Sequence, residues 1–440
     1  MTVTFDTFTT LEVWQRGIIG SYGNYVNLEE KMMSYNVRRG KGGRFSQFQA
    51  STLTVKFHNS DNFFDPTYES VYSGGGGLPS KFGAPIGRWV RLQTKAGRLF
   101  AGYITDWNFT YSPEGDSVVI LEAMDILGYL ATKPLPEIEA PVELTGLRVN
   151  RILEASGISS FFVAASEFGL VQMQAETIPS GTLALDYLNV ILNTEWGSLV
   201  PSGDSLILST RIKRKRSPSS LFSSDDGILY IGNDTIPFTD LLVSYGTDVL
   251  YNRILVQNID GALVDVSDQD SIDYNGEKLL SLTNLKGELD SDALNLGTYL
   301  ANEYSVPKLR VDAVSFILQK YPLIKTGPSS WTVADEQYDL VNMDLNNICL
   351  VTFAPVGSST LIEQYSIITS IDVNGVPGEV RLTYGLETFT QYLLLDDTTF
   401  GKLDENNVLG QDYRYFILGY DVGGATAELY SRLSAGLILG

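Results

Sequence analysis

The sequence predicts a β-rich α+β fold, with two related β-barrel domains near its ends and small α+β modules between them. Three observations predict it. Apolar residues at every second position, the period of a half-buried strand, fill residues 1–132 and return over 306–410. Between these regions apolar residues recur three and four apart, the period of a helix face. A weak internal repeat links the two ends. Tyr103-Ile-Thr-Asp-Trp107, then Gly115-Asp-Ser-Val-Val-Ile-Leu121, is echoed by Ile367-Ile-Thr-Ser-Ile371, then Gly378-Glu-Val-Arg-Leu-Thr383.

In chain order, Leu53, Val55 and Phe57 alternate with Thr52, Thr54 and Lys56 in a first clear strand. A polar turn, Asn59-Ser-Asp-Asn62, leads through Phe63-Phe64-Asp65-Pro66 to a loop centred on Gly74–Gly77. Strands resume at Gly87-Arg-Trp-Val-Arg-Leu92 and Gly97-Arg-Leu-Phe-Ala-Gly-Tyr-Ile104. Ser117–Glu122 closes the first domain, Ala123–Leu130 forms a short helical exit, and Lys133-Pro-Leu-Pro136 reads as a linker. A module over 141–212 follows. Thr145 is placed to cap a helix carrying Val149, Ile152 and Leu153 and ending at Gly157. A second helix, about 181–195, aligns Ala184, Leu188, Ile191 and Leu192, and a strand pair turns at Ser202-Gly-Asp204. A further module spans 225–305, with a strand at Leu250–Gln257, a hairpin turn at Asn275-Gly276, and a helix starting near Asp290 and stopped by Val306-Pro307. The last β region starts at Leu309-Arg-Val-Asp-Ala-Val314, and 411–440 is a tail rich in Gly, Ala and Leu.

Composition narrows the function. The 440 residues suffice for about three domains at ~150 residues each. Hydrophobic residues make up 44%, so each domain can bury a core. Lys and Arg total 31 against 52 Asp and Glu, a formal net charge of -21, which argues against wrapping nucleic acid. Such a surface does suit DNA that passes without sticking. The basic run Arg211-Ile-Lys-Arg-Lys-Arg216 reads as a solvated loop or a contact for an acidic neighbour. No apolar run approaches the ~20 residues of a membrane span. Met1-Thr-Val-Thr-Phe-Asp6 lacks the features of a signal peptide, so synthesis in the cytoplasm is expected.

Catalytic chemistry has few residues to use. The chain has one cysteine, Cys349, in the apolar run Ile348–Val351, and one histidine, His58, on the polar face of a strand. These cannot supply three or four zinc ligands, and no Gly-x-Ser-x-Gly elbow accompanies the histidine. Asp268, Asp270, Asp273 and Glu277 cluster without the spacing of a calcium loop and read as solvated carboxylates, while a bound calcium ion stays an open question. Gly74–Gly77 lacks the Gly-Lys-Ser/Thr ending of a phosphate loop. No catalytic, cofactor or metal residue is assigned.

The order of the Asn59–Pro66 turn, the Gly-rich loop, Gly87–Leu92 and Leu99-Phe-Ala-Gly-Tyr-Ile104 resembles the first barrel of the hub-type minor tail proteins of phages with long non-contractile tails. The resemblance continues through Leu144–Gly157, Gly181–Leu188 with Asn193–Gly197, Leu250–Ile254, Tyr274–Gly276 and Ala301–Pro307, and on to Phe400–Asp404 and Val408–Gly410. It implies tube-type barrels, a homotrimeric ring at the tail tip of the virion, and no catalytic residues. It also implies contacts with the distal tail protein ring, the tape-measure protein and other tail-tip or receptor-binding proteins. DNA would meet the protein only in passage. Two barrels in each of three chains would present six similar faces to a sixfold ring, with Trp89, Arg91 and Phe100 as candidates for that contact. The alternatives are a hexameric distal tail protein, which needs one barrel per chain, a carbohydrate-binding receptor-recognition protein and a peptidoglycan hydrolase. The tail 411–440 is shorter than the ~40 residues a stable extra domain requires.

Overall fold

The computed structural model describes residues 9–14, 25–43, 45–67, 82–94, 96–113, 115, 117–158, 169–202, 205–209, 228–232, 235–318, 324–325, 331–332, 335–357, 361–388, 393–395, 416–422 and 425–431. The glycine loop at 74–77, the basic run 211–216 and most of the C-terminal tail lie outside them.

Seven strands form the N-terminal part: β1 (Thr9–Trp14), β2 (Tyr25–Asn27), β3 (Met32–Lys41), β4 (Phe48–His58), β5 (Trp89–Thr94), β6 (Arg98–Thr110) and β7 (Val118–Met124). On β4 the expected alternation holds: Leu53, Val55 and Phe57 are fully buried, while Thr54, Lys56 and His58 face outward. Asp125 then caps α1 (Ile126–Thr132), its carboxylate accepting from the amides of Leu127 and Gly128.

The middle of the chain holds short strands β8 (Ile138–Ala140) and β9 (Glu143–Leu144), α2 (Thr145–Ala155), β10 (Gln172–Met173), β11 (Glu176–Ile178), α3 (Ala184–Glu195), β12 (Ser198–Ser202) and β13 (Ser205–Ser209). Thr145 is the first residue of α2 and not its cap, because its hydroxyl donates instead to the buried carboxylate of Glu195, at 2.7 Å. The strands β14 (Leu229–Gly232) and β15 (Asp240–Tyr245) precede a compact module. There β16 (Arg253–Asn258), β17 (Val264–Ser267) and β18 (Leu279–Leu285) form a three-stranded sheet covered by α5 (Asp290–Tyr304) through Ala293, Leu296 and Leu300. Asn275-Gly276 is not a hairpin turn. It ends α4 (Gln269–Asn275): the Gly276 amide closes the helix on the Ile272 carbonyl, and its φ of 78° turns the chain away, a positive φ that glycine takes at a helix end as readily as in a tight turn. The final β region contains β19 (Leu309–Ile317), β20 (Ile324–Lys325), β21 (Trp331–Thr332), α6 (Asp335–Asn342), β22 (Ile348–Phe353), β23 (Ile362–Val376), β24 (Glu379–Thr388) and three strands beyond.

Strands from both ends of the chain meet in one thirteen-stranded sheet. Its main path is β15-β19-β24-β23-β3-β4-β7-β6-β5-β1-β2, with β22 on β23 and β14 parallel to β22. No closed barrel is found among the described residues, which corrects the expected pair of barrels. Closing the N-terminal unit would require β2 to pair with β3. However, β2 has three residues, and the outer edge of β3 is taken by β23.

The internal repeat is real within that sheet. The strands β3-β4-β7-β6-β5 and β15-β19-β24-β23-β22 have the same order and the same sequence of connections. In each unit the long hairpin bulges at the threonine of its Ile-Thr pair, between Ile104 and Asp106 in β6 and between Ile368 and Ser370 in β23. Thr105 Oγ1 donates to the carbonyl of Glu122 at 3.1 Å, and Thr369 Oγ1 to that of Gly385 at 3.2 Å. These acceptors are the partners of Asp106 and Ser370, so the two bulges are closed by the same bond. The equivalent strands β5 and β22 also begin alike. Gly87 (φ 71°) and Asn346 (φ 67°) are both left-handed, and their amides bond to Ile104 and Ile368.

Candidate assembly surface

The junction between the two units is an antiparallel ladder built from residues far apart in sequence. Tyr35 to Gly40 of β3 face Gly375 to Ser370 of β23, with Val37 opposite Val373 and both fully buried. On the outer face Asn36 donates to Asn374 at 2.6 Å, and Arg38 lies 4.0 Å from Asp372. Two glycines make the approach possible. A Cβ on Gly375 would overlap the Tyr35 ring, and one on Gly40 would come within 2.4 Å of the Thr369 carbonyl oxygen. Gly40 also has a φ of 131°, which side-chain-bearing residues rarely adopt. Beside this ladder Arg39 reaches Asp344 at 2.5 Å and the carbonyl of Pro201 at 2.8 Å, which ties the junction to the α+β region. The cleft next to it is lined by Arg39, Asp125 and Asp344.

Several strand edges of the large sheet have no partner strand among the described residues, and two of them correspond through the repeat to the edges joined in this ladder. One is the outer side of β15, the last strand of the sheet path. The other is β6 beyond Ile104, on the side away from β7, because β5 pairs with β6 only as far as Tyr103. Both carry exposed apolar side chains: Leu242 and Tyr245 on β15 and Tyr111 just past β6 are 60%, 72% and 58% exposed. Unpaired edges of this sort are templates for another strand.

Trp89 and Phe100 lie in the core of the N-terminal unit, while Arg91, between them on β5, is half-buried and faces Glu12 and Ala101 across the strands. His58 is exposed at the end of β4, and Cys349 is fully buried on β22, where burial pushes its thiol up to about 12. No group of three His, Cys, Asp or Glu side chains that could hold a metal ion occurs among the described residues. Asp268 caps α4 through the amide of Ser271, Asp273 accepts from Gln269, and Glu277 pairs with Arg253. No helix among the described residues is long and apolar enough to cross a membrane.

No family model matches the sequence, and no curated protein matches it. Solved structures do. A tail protein from Neisseria meningitidis MC58 aligns with a TM-score of 0.54 at 8% identity, over 86% of this chain and 96% of that one. The 43 kDa tail protein of prophage MuSo2 from Shewanella oneidensis aligns with a TM-score of 0.50 at 12% identity, over 87% and 98%. The chain has the fold of these tail proteins. That likeness extends over most of this chain and nearly the whole of each of the others.

A polar core holds the first of those modules together. Arg148, fully buried on α2, donates to Glu143 at 2.7 Å, to the Tyr187 hydroxyl at 2.8 Å, and to the carbonyls of Pro141 and Gln174. Glu176 joins from β11 and also meets Lys286 on the chain leaving β18. Burial alone would raise the Glu143 carboxyl, but hydrogen bonds and charge from Arg151 and Arg148 hold it below its ordinary value of 4.5. A depressed carboxyl stabilises the fold above its unfolded value, and that contribution is lost as pH falls through the folded one. Acid titration followed by hydrogen exchange is therefore expected to open α2 as the pH drops below about 4.5, the ordinary glutamate value. An opening of α2 that grows as the pH rises would contradict it.

Proposed function

We propose that this protein is a structural component of a phage-type tail, forming a trimeric ring at the tail tip that joins the distal tail ring to the tip and surrounds the tape-measure protein and the DNA channel. The observation that carries the reading is the duplicated five-stranded unit in a chain with a tail-protein fold. Three copies would supply six equivalent units, matching a sixfold ring above. A hexameric distal tail protein would need one unit per chain, and this chain has two. The role rests on shape and contact, not catalysis. An acidic wall, from a net charge of -21, repels the DNA that passes it. Contact with the ring above is assigned to the β5 region, where Arg91 is the most accessible of Trp89, Arg91 and Phe100.

Antibody labelling of intact particles, with quantitative mass spectrometry of the same preparation, tests the placement. The expected result is label at the tail tip and three copies per particle. Six copies would reassign the chain to the distal ring, and absence from the particle would end the structural reading.

A further inference from the structure

The junction inside the chain provides a template for a junction between chains. Superposing the repeat places β15 on β3 and β6 on β23. Tyr35 and Leu241 occupy the same position, since they face the equivalent residues Val55 and Val314 of β4 and β19. Ile104 corresponds to Ile368 at the shared bulge. The internal ladder joins β3 of the first unit to β23 of the second. The same operation applied to the partnerless edges joins β15 of the second unit to the distal half of β6 of a first unit. Within one chain β15 and β6 are not paired with each other, so the partner is a second copy.

We propose that the outer edge of β15 in one copy pairs antiparallel with the distal half of β6 in the next, with Val243 opposite Phe109 as Val37 is opposite Val373. The inference rests on the ring assembly proposed above and gives its contact. In this register Leu241 meets Tyr111, Leu242 meets Thr110, Ser244 meets Asn108, Tyr245 meets Trp107 and Gly246 meets Asp106. Three of those pairs, Leu241–Tyr111, Val243–Phe109 and Tyr245–Trp107, are apolar on both sides and share one face, as do the buried residues of the internal ladder. Pairing would cover Tyr111 and Tyr245, which are 58% and 72% exposed in the single copy.

A glycine provides an independent sign. Val37-Arg38-Arg39-Gly40 on β3 is matched by Val243-Ser244-Tyr245 at the end of β15 and Gly246 directly after it. At Gly40 the space for a Cβ is filled by the backbone of Thr369 and Ser370, whereas at Gly246 nothing lies within 4 Å. The glycine is present and the strand that would press on it is missing. The contact is heterologous, with different edges from the two partners, so it propagates from copy to copy until a ring closes.

Cysteine pairs test the register, and the buried Cys349 does not compete. The full chain carrying both Ser244→Cys and Asn108→Cys, at positions opposed on the outer face, is oxidised and run on a denaturing gel beside a Ser244→Cys, Phe109→Cys control whose side chains point to opposite faces. The expected result is conversion of the first variant mainly to covalent two- and three-chain species, with the control remaining single. Native mass spectrometry of Gly246→Val is expected to show single chains with an unchanged melting temperature. A ring that assembles without the cross-link, or with equal cross-linking of the control, overturns this pairing and leaves the ring reading standing. Single chains throughout, for the unmodified protein as well, overturn both.

Discussion

Gly40→Val is expected to break the internal ladder, at a cost of about 2–6 kcal/mol, the sum of a strained backbone and an overpacked contact. The added side chain must displace the backbone of Ser370, which is held in the middle of the sheet by both β24 and β3, and it must do so from a φ of 131°. Rotating a side chain out of the way does not help, because the obstacle is main chain. Gly43→Val is the control. It lies three residues away in sequence and is exposed, with only a serine hydroxyl 3.9 Å from the added carbon, and is expected to stay within about 0.5 kcal/mol of the parent. Urea denaturation read by tryptophan fluorescence distinguishes them. Equal stability of both variants would mean that the two units do not depend on their junction.

Arg148→Met should have a comparable effect on the α+β module. The side chain is 0% exposed and satisfies Glu143, the Tyr187 hydroxyl and two backbone carbonyls at once. Methionine keeps much of the volume but leaves those acceptors facing an apolar chain. Removing one partner from a buried charge network costs about 3–5 kcal/mol. Arg151 still reaches Glu143, and Lys286 still reaches Glu176, so the loss is expected near the lower end. Limited proteolysis is the readout. Cleavage should move to the α2–α3 region while the large sheet stays protected. Protection unchanged from the parent would show that the network is dispensable.

Much of the sheet was legible because local pattern and tertiary burial agree there. The alternation in β4, β7 and β24 marks the buried face directly, and the Ile-Thr repeat marks two bulges that the structure closes with the same hydroxyl bond. What pattern could not show is that both units share one sheet. Val37 and Val373 read as strand residues anywhere, and their pairing spans more than three hundred residues of sequence. The junction did leave one trace, the Val-x-x-Gly spacing at both Val37–Gly40 and Val243–Gly246, which alone is too short to be distinguished from chance. Short-range ambiguity explains the local corrections. Asn275-Gly276 ends a helix where a hairpin turn was expected, and Thr145 satisfies Glu195 from inside the helix it was expected to cap. Trp89 and Phe100 stand out as large aromatics in a strand, but the same size that makes them candidate contacts also makes them core.

If two equivalent units per chain build a ring with six similar faces, electron cryomicroscopy of the intact tail tip will show it. The expected image is a threefold ring beneath a sixfold one, with β15 of each copy continuing into β6 of its neighbour and the lumen wall close to sixfold. A ring of six copies, or three copies that touch through the α+β modules with both edges open to solvent, would contradict it.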